Sequence, residues 1–271
     1  MKDSDRQLLI HRLNIALGPE EGRAVFRWLL DEFPGAGIED GPTARLNSIV
    51  KGLEEGHPLQ YLLGKAPFMG LDFSVNPSVL IPRPETEELV YLLLQEKKYA
   101  GKTLLDLCTG SGCIAISLEK KGSFSRVEGL DVSLQALETA RANAAALEVK
   151  ADFFAFDLLR DSFPEAAGWD LWISNPPYVG ASEAAAMENR VLLHEPALAL
   201  FVPDDDVVCF YRRIMQLSET HLNPAGEIFL EINPLHAEAT LRLFTDAPWM
   251  ESAELLSDMS GKQRFIRVRK K

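Results

Sequence analysis

The chain is short of cysteine, of positive charge and of long apolar runs. Its only cysteines are Cys108, Cys113 and Cys209. They form no C-x-x-C pair and their number is odd, which argues against a disulfide framework and for a reducing compartment. Lys and Arg total 28 against 40 Asp and Glu, a formal net charge of −12, which argues against a partner held mainly through phosphates. No apolar run approaches transmembrane length, and Met1-Lys2-Asp3-Ser4-Asp5-Arg6 puts charges where an export signal needs an apolar core. A soluble, cytoplasmic protein is expected. His11, His57, His194, His221 and His236 are scattered without metal-ligand spacing, so no metal is expected.

What is present has the make-up of a globular protein: 271 residues, 46% hydrophobic and 25% charged, room for one large domain and a smaller companion. Between Ser4 and about Leu63, Leu8, Leu9, Leu13 and Ala16, then Val25, Phe26, Leu29 and Leu30, recur at helical spacing. Gly18-Pro19, Phe33-Pro34-Gly35 and Gly41-Pro42 punctuate the pattern, which predicts three or four short helices over residues 1–64. Residues 1–80 hold 8 Lys and Arg against 11 Asp and Glu, so this is no basic nucleic-acid arm but a packing domain or a protein-docking module.

Residues 65–84 read as a linker. Phe68 to Leu80 alternates in part and turns at Asn76-Pro77, a β-hairpin pattern, and Ile81-Pro82-Arg83-Pro84 is held extended by its prolines. Arg83, pinned between two prolines, either lines a site or pairs with Glu85 or Glu87. Thr86 is placed to cap the helix that follows.

Residues 85–271 alternate strands and helices. The buried strand Thr103–Cys108 runs into Thr109-Gly110-Ser111-Gly112 and a helix over Cys113–Lys121. Glycines let the backbone approach a ligand, and the helix start offers free N–H groups, so a nucleoside-bearing cofactor is implied. Gly110 to Ala115 also fits the dinucleotide pattern G-x-G-x-x-A, and the loop alone leaves NAD and S-adenosylmethionine open. The strand Arg126–Asp131 ends in an acid 19 residues after Gly112, the place for a carboxylate that accepts ribose hydroxyl protons. Capping the next helix is its other reading, a task open to Ser133. A third strand, Asp152–Phe156, ends at Asp157-Leu158, where an adenine edge would sit.

The fourth strand, Trp169–Ser174, stops at Asn175-Pro176-Pro177-Tyr178. Open α/β sheets put their chemistry at such strand ends. The prolines fix φ and carry no N–H, the Asn175 amide both donates and accepts, and Tyr178 adds an aromatic plate, so the loop suits a planar amide or a nucleobase edge. Val179 to Asp206 reads as a long irregular lid or binding stretch containing His194. The strands Glu227–Ile232, Ala253–Leu256 and Arg264–Val268 close the chain, the last two as an antiparallel hairpin across Gly261.

This order of parts resembles a class I S-adenosylmethionine-dependent methyltransferase, an α/β fold with a doubly wound, mostly parallel seven-stranded sheet and an antiparallel last strand. Pro58-Leu59-Gln60-Tyr61-Leu62-Leu63-Gly64, Ile81-Pro82-Arg83-Pro84-Glu85-Thr86-Glu87, Asp106 to Gly112 and Asn175 to Tyr178 narrow it. In that order they are similar to the release factor glutamine N5-methyltransferases (the HemK/PrmC family), from about Pro58 to the C-terminus. The resemblance implies S-adenosylmethionine held by Cys108, Thr109, Gly110, Ser111, Gly112, Asp131, Asp157, Leu158 and Asn175. It implies a class 1 peptide chain release factor as substrate, methylated on the glutamine of its Gly-Gly-Gln segment. Asn175, Pro176, Pro177 and Tyr178 would be catalytic and, with Arg83, would bind that substrate. Cys108 stands where the general methyltransferase loop has glycine; a small thiol is expected to cost little room. The rival readings are an adenine or guanine amino-methyltransferase on RNA or DNA, an NAD-dependent oxidoreductase and a cofactor-binding scaffold.

Overall fold

The computed structural model describes residues 3–33 and 41–271. Helices α1 (Asp3–Leu17), α2 (Pro19–Glu32), α3 (Gly41–Glu54) and α4 (Leu59–Leu63) come first. They gather Leu9, Leu13, Val25, Leu29, Ile49 and Val50 into one apolar cluster. Gly18 at φ 84° breaks the chain before α2, and Pro19 follows in its first turn, where a missing N–H costs nothing. Gly64, left-handed at φ 75°, ends α4. The expected break at Pro34-Gly35 lies outside the described residues. Residues 1–65 and 187–194 form one compact unit, and residues 66–186 and 195–271 the other.

Strands β1 (Lys65–Phe68) and β2 (Leu71–Ser74) make a two-stranded sheet. Their turn is Met69-Gly70, at φ 52° and 72°, the mirror-image geometry that matches strand twist. The turn expected at Asn76-Pro77 comes after β2 instead, where the Asn76 side chain accepts from the Ser78 N–H at 2.9 Å.

Next come α5 (Pro84–Gln95), β3 (Thr103–Leu107), α6 (Cys113–Lys121), β4 (Arg126–Asp131), α7 (Leu134–Ala146), β5 (Asp152–Ala155) and β6 (Trp169–Ser174). Then follow β7 (Val179–Gly180), α8 (Asn189–His194), β8 (Phe201–Val202), α9 (Cys209–His221), β9 (Leu222–Glu231), α10 (Ala237–Thr245), β10 (Met250–Ser257) and β11 (Gln263–Lys270). Seven of these strands form a sheet in the order β10-β11-β9-β6-β3-β4-β5. Only β11 runs against its neighbours, inserted between β10 and β9. Both faces of the sheet are covered. Leu104, Ile173 and Phe229 pack with α5 and α6 residues such as Leu89 and Ile116, while Leu105, Trp172 and Ile228 pack with Tyr211, Ile214 and Phe244. Strands buried on both faces read as continuous apolar runs, which is why they stand out in the sequence.

The stretch from Val179 to Asp206 is less irregular than expected. It holds β7, β8, α8 and two short 3₁₀ helices, and it divides between the two units. Its 187–194 piece belongs with the helical unit, where Arg190 pairs with Glu21 at 3.0 Å and the His194 ring lies tilted against that of His57 with centroids 4.1 Å apart. Among the described residues, no helix is long and apolar enough to cross a membrane.

Register decides what meets at the sheet's edge. Leu107 lies across from both Leu130 and Ser174, and Ser174 across from Leu230. The next residues along these parallel strands, Cys108, Asp131, Asn175 and Glu231, therefore emerge side by side.

Candidate active site

A cavity of about 430 Å³ opens at this edge, within the range of roughly 300–1,000 Å³ typical of small-molecule sites. Cys108, Thr109, Gly110 and Ser111 after β3 form one part of its wall, and Asp131 after β4 another. Asp157 and Leu158 follow β5, Asn175 and Pro177 follow β6, and Arg83 closes the rim. Gly112, Pro176 and Tyr178 are not part of the wall.

The glycine loop is held by two carboxylates. Asp106, fully buried in β3, accepts from the Thr109 hydroxyl at 2.6 Å and the Ala115 N–H at 3.2 Å, both through Oδ2. Its Oδ1 is buried without a partner, and burial pushes the carboxyl up to about 7 against the pull of those two bonds. Asp131 accepts from the Gly110 N–H and the Ser133 N–H, each at 2.9 Å, tying β4 to the loop. Ser133, whose hydroxyl accepts from the Ala136 N–H at 3.2 Å, caps α7.

Within the loop, a Cβ on Gly112 would come within 2.9–3.2 Å of Ile116, Ala140 and Phe153, so this glycine serves helix-to-sheet packing. Gly110 has open space around it but sits at φ 55°, so its requirement is conformational. Cys108 occupies the same left-handed region at φ 60°. The cost of cysteine at this position is thus backbone strain, of order 1 kcal/mol, rather than the room a thiol takes.

The charges around the cavity are mostly paired. Burial pushes the Cys108 thiol well up, and the negative fields of Asp131 and Asp106 push it further. Arg83 is committed to Glu195 at 2.6 Å and Arg160 to Asp157 at 3.6 Å, while no cation pairs with Asp131 among the described residues. Asp131 is thus the carboxylate of this wall left without a counter-cation among the described residues, which suits a positively charged sulfonium.

On the other side, the Asn175 Nδ2 donates to the Thr86 hydroxyl at 3.0 Å, and that hydroxyl donates to Glu231 Oε2 at 2.6 Å. The Tyr178 hydroxyl donates to Glu231 Oε1 at 2.9 Å, and burial followed by the Glu231 charge pushes its pKa up. Thr86 does not cap α5. The helix begins at Pro84, and Thr86, 2% exposed, is spent on Glu231 and Asn175. Arg83 pairs with neither Glu85 nor Glu87 but with Glu195, whose second oxygen accepts from the Ile81 N–H at 3.1 Å. His194 is not part of the cavity wall.

Sequence reasoning thus missed Thr86 and Glu231 as parts of the site, and gave Glu195 no role. A charge at the end of the apolar run Ile228-Phe229-Leu230 was one signal, since a buried carboxylate requires partners. Nothing in the sequence says which partners.

A parallel sheet with one reversed strand, a glycine loop tied to the acid of the next strand and a cavity between that loop and Asn175 together define an S-adenosylmethionine-dependent methyltransferase. Residues 86–201 match the family model of the methyltransferase small domain. A methyltransferase structure from Pyrococcus furiosus shares the fold, with a TM-score of 0.53 at 17% identity over 74% of this chain and 89% of that one. The release factor glutamine methyltransferase of Bacteroides thetaiotaomicron is 41% identical over 221 residues, covering 82% of this chain and 79% of its own. That of Bacillus subtilis is 37% identical over 218 residues, covering 79% and 75%. The chain belongs to the release factor glutamine methyltransferase family.

Proposed function

We propose that this enzyme methylates the side-chain amide nitrogen (N5) of the glutamine in the Gly-Gly-Gln segment of class 1 peptide chain release factors, in the cytoplasm. S-adenosylmethionine supplies an electrophilic methyl group on a positively charged sulfur. The position of Asn175 carries this reading: its nitrogen is bound inward to Thr86 at 3.0 Å, which leaves Oδ1 as an acceptor at the cavity wall.

An amide nitrogen is a poor nucleophile because its lone pair is delocalised into the carbonyl. It also carries two N–H groups; the Asn175 Oδ1 accepts one, and the carbonyl of Pro176, which lies between the wall residues Asn175 and Pro177 and is reached as the acceptor docks, accepts the other. Two fixed acceptors hold the nitrogen in line for attack and stabilise the positive charge that develops on it. Proline lacks the N–H that would compete for such oxygens within the loop. The surplus proton of the product leaves to solvent, so no general base is required. Arg83, oriented by Glu195, donates its remaining N–H groups to the acceptor peptide, and Tyr178 braces the loop beside it.

The same acceptor pair suits the amino group of adenine or guanine. The net charge of −12 and the acidic first 80 residues favour a protein acceptor. Incubation of the enzyme with S-adenosylmethionine and either a purified release factor or total RNA, followed by mass spectrometry, is the test. One methyl group on the release factor glutamine is expected; a methylated nucleobase with unmodified protein would overturn the proposal.

A further inference from the structure

Glu231 never reaches the cavity wall, yet it receives two of the three side-chain hydrogen bonds that converge behind the Asn175 loop. It is 1% exposed at the end of β9, brought beside Asn175 by the pairing of Ser174 with Leu230. Both of its oxygens accept, one from Thr86 and one from Tyr178, as an ionised carboxylate does. Arg264, itself paired with Asp258 at 3.1 Å, favours that ionised form, while burial and the charge of Glu85 oppose it.

A threonine hydroxyl has one proton. Once Glu231 takes it, Thr86 can only accept from Asn175, so the amide must turn its nitrogen inward. We propose that Glu231, acting through Thr86, is the positioning residue that decides which end of the Asn175 amide faces the acceptor. An ionised carboxylate at the end of the chain presents oxygen, the end that can accept an N–H from the substrate. With no acceptor in its place, the Thr86 proton turns to Asn175 Oδ1, and the amide presents its N–H groups to a substrate nitrogen that also carries N–H groups. Tyr178, on the other oxygen of the same carboxylate, anchors the far end of the loop at 2.9 Å.

This inference rests on the proposed acceptor chemistry, and its test separates the two. Glu231→Met keeps the approximate volume and removes both carboxylate acceptors, Thr86→Val removes the hydroxyl at nearly equal size, and Thr86→Ser restores it. With the release factor as substrate, Glu231→Met and Thr86→Val should each lower kcat by about 10- to 100-fold, the range of a lost transition-state contact. Affinity for S-adenosylmethionine should change less than about twofold and KM little, and Thr86→Ser should recover most of kcat. The double variant should be no slower than the slower single one, because both act through one chain of bonds. A Glu231→Met enzyme of wild-type kcat, losses that multiply, or a Thr86→Ser enzyme as slow as Thr86→Val would overturn the inference. The 15N-resolved side-chain amide signal of Asn175 tests the relay without any substrate. It should show one bonded proton in the wild type and in Thr86→Ser, and lose it in Thr86→Val; an unchanged signal in Thr86→Val overturns the relay. A wild-type enzyme that leaves the release factor unmethylated defeats the substrate assignment, and the amide signal still decides the relay.

Discussion

The two sides of the cavity follow one plan at different range. On the glycine-loop side, Asp106 holds residues three and nine positions further along the chain, Thr109 and Ala115, and shapes a loop that forms one part of the wall. On the Asn175 side, Glu231 holds Thr86 across 145 residues and Tyr178 across 53, behind the loop that forms another part. Each side is governed by a buried carboxylate whose pKa burial raises. Local bonds suffice to set a backbone turn. The orientation of an amide requires a partner of known polarity, and in the proposed relay the polarity of Thr86 is set by a carboxylate from a distant strand.

Paired substitutions should split these roles most widely. Asn175→Ala should lower kcat by about 100-fold or more while S-adenosylmethionine affinity stays near the wild-type value, because its contacts are made in the transition state. Asp131→Ala should weaken cofactor binding by about tenfold or more, since it loses an unpaired carboxylate at the cavity wall and the bond that seats Gly110. Calorimetric titration with cofactor beside steady-state kinetics gives both numbers; a shared pattern in the two variants would dissolve the division.

An intermediate effect concerns Asp106. Its carboxyl titrates near 7 when folded, against an ordinary aspartate value of about 3.9. Between those values the folded protein holds a proton that the unfolded chain has released, so this residue's contribution to stability falls as pH rises through that window. An asparagine side chain at this position cannot ionise. Relative to wild type, Asp106→Asn should therefore gain ground in urea unfolding as pH is raised from about 5 to about 8. A constant difference across that range would show that Asp106 does not titrate there.

The smallest effect concerns Cys108. With φ at 60°, Cys108→Gly should raise unfolding stability by about 0.5–1 kcal/mol and Cys108→Ala should not, because only glycine removes the left-handed strain. Equal stability of the two variants would return the cost to side-chain room.

Much of the scaffold was legible in advance. The strands Arg126–Asp131 and Trp169–Ser174 and the helix Cys113–Lys121 fall on the residues expected, because strands buried on both faces show as apolar runs and a left-handed glycine marks the helix start. The hairpin turn was misplaced. Met69 carries no turn signal and adopts a left-handed conformation beside Gly70, whereas Asn76-Pro77 carries a strong one and turns only locally. Thr86 was misread for a similar reason: its spacing from Pro84 suits a cap, while its burial and its distant partners are invisible along the chain.

By itself the sequence determined the order of strands and helices, the glycine loop with its acid at Asp131, and the proline-stiffened loop at Asn175. These depend on local propensity and spacing, which a linear chain carries. Tertiary structure alone decided that Arg83 answers to Glu195, that Asp131 stands at the cavity wall without a counter-cation among the described residues, and that Asn175 turns its nitrogen to Thr86. Those depend on parallel register and burial, which bring a carboxylate from β9 against a helix 145 residues away and remove the water that would otherwise satisfy both.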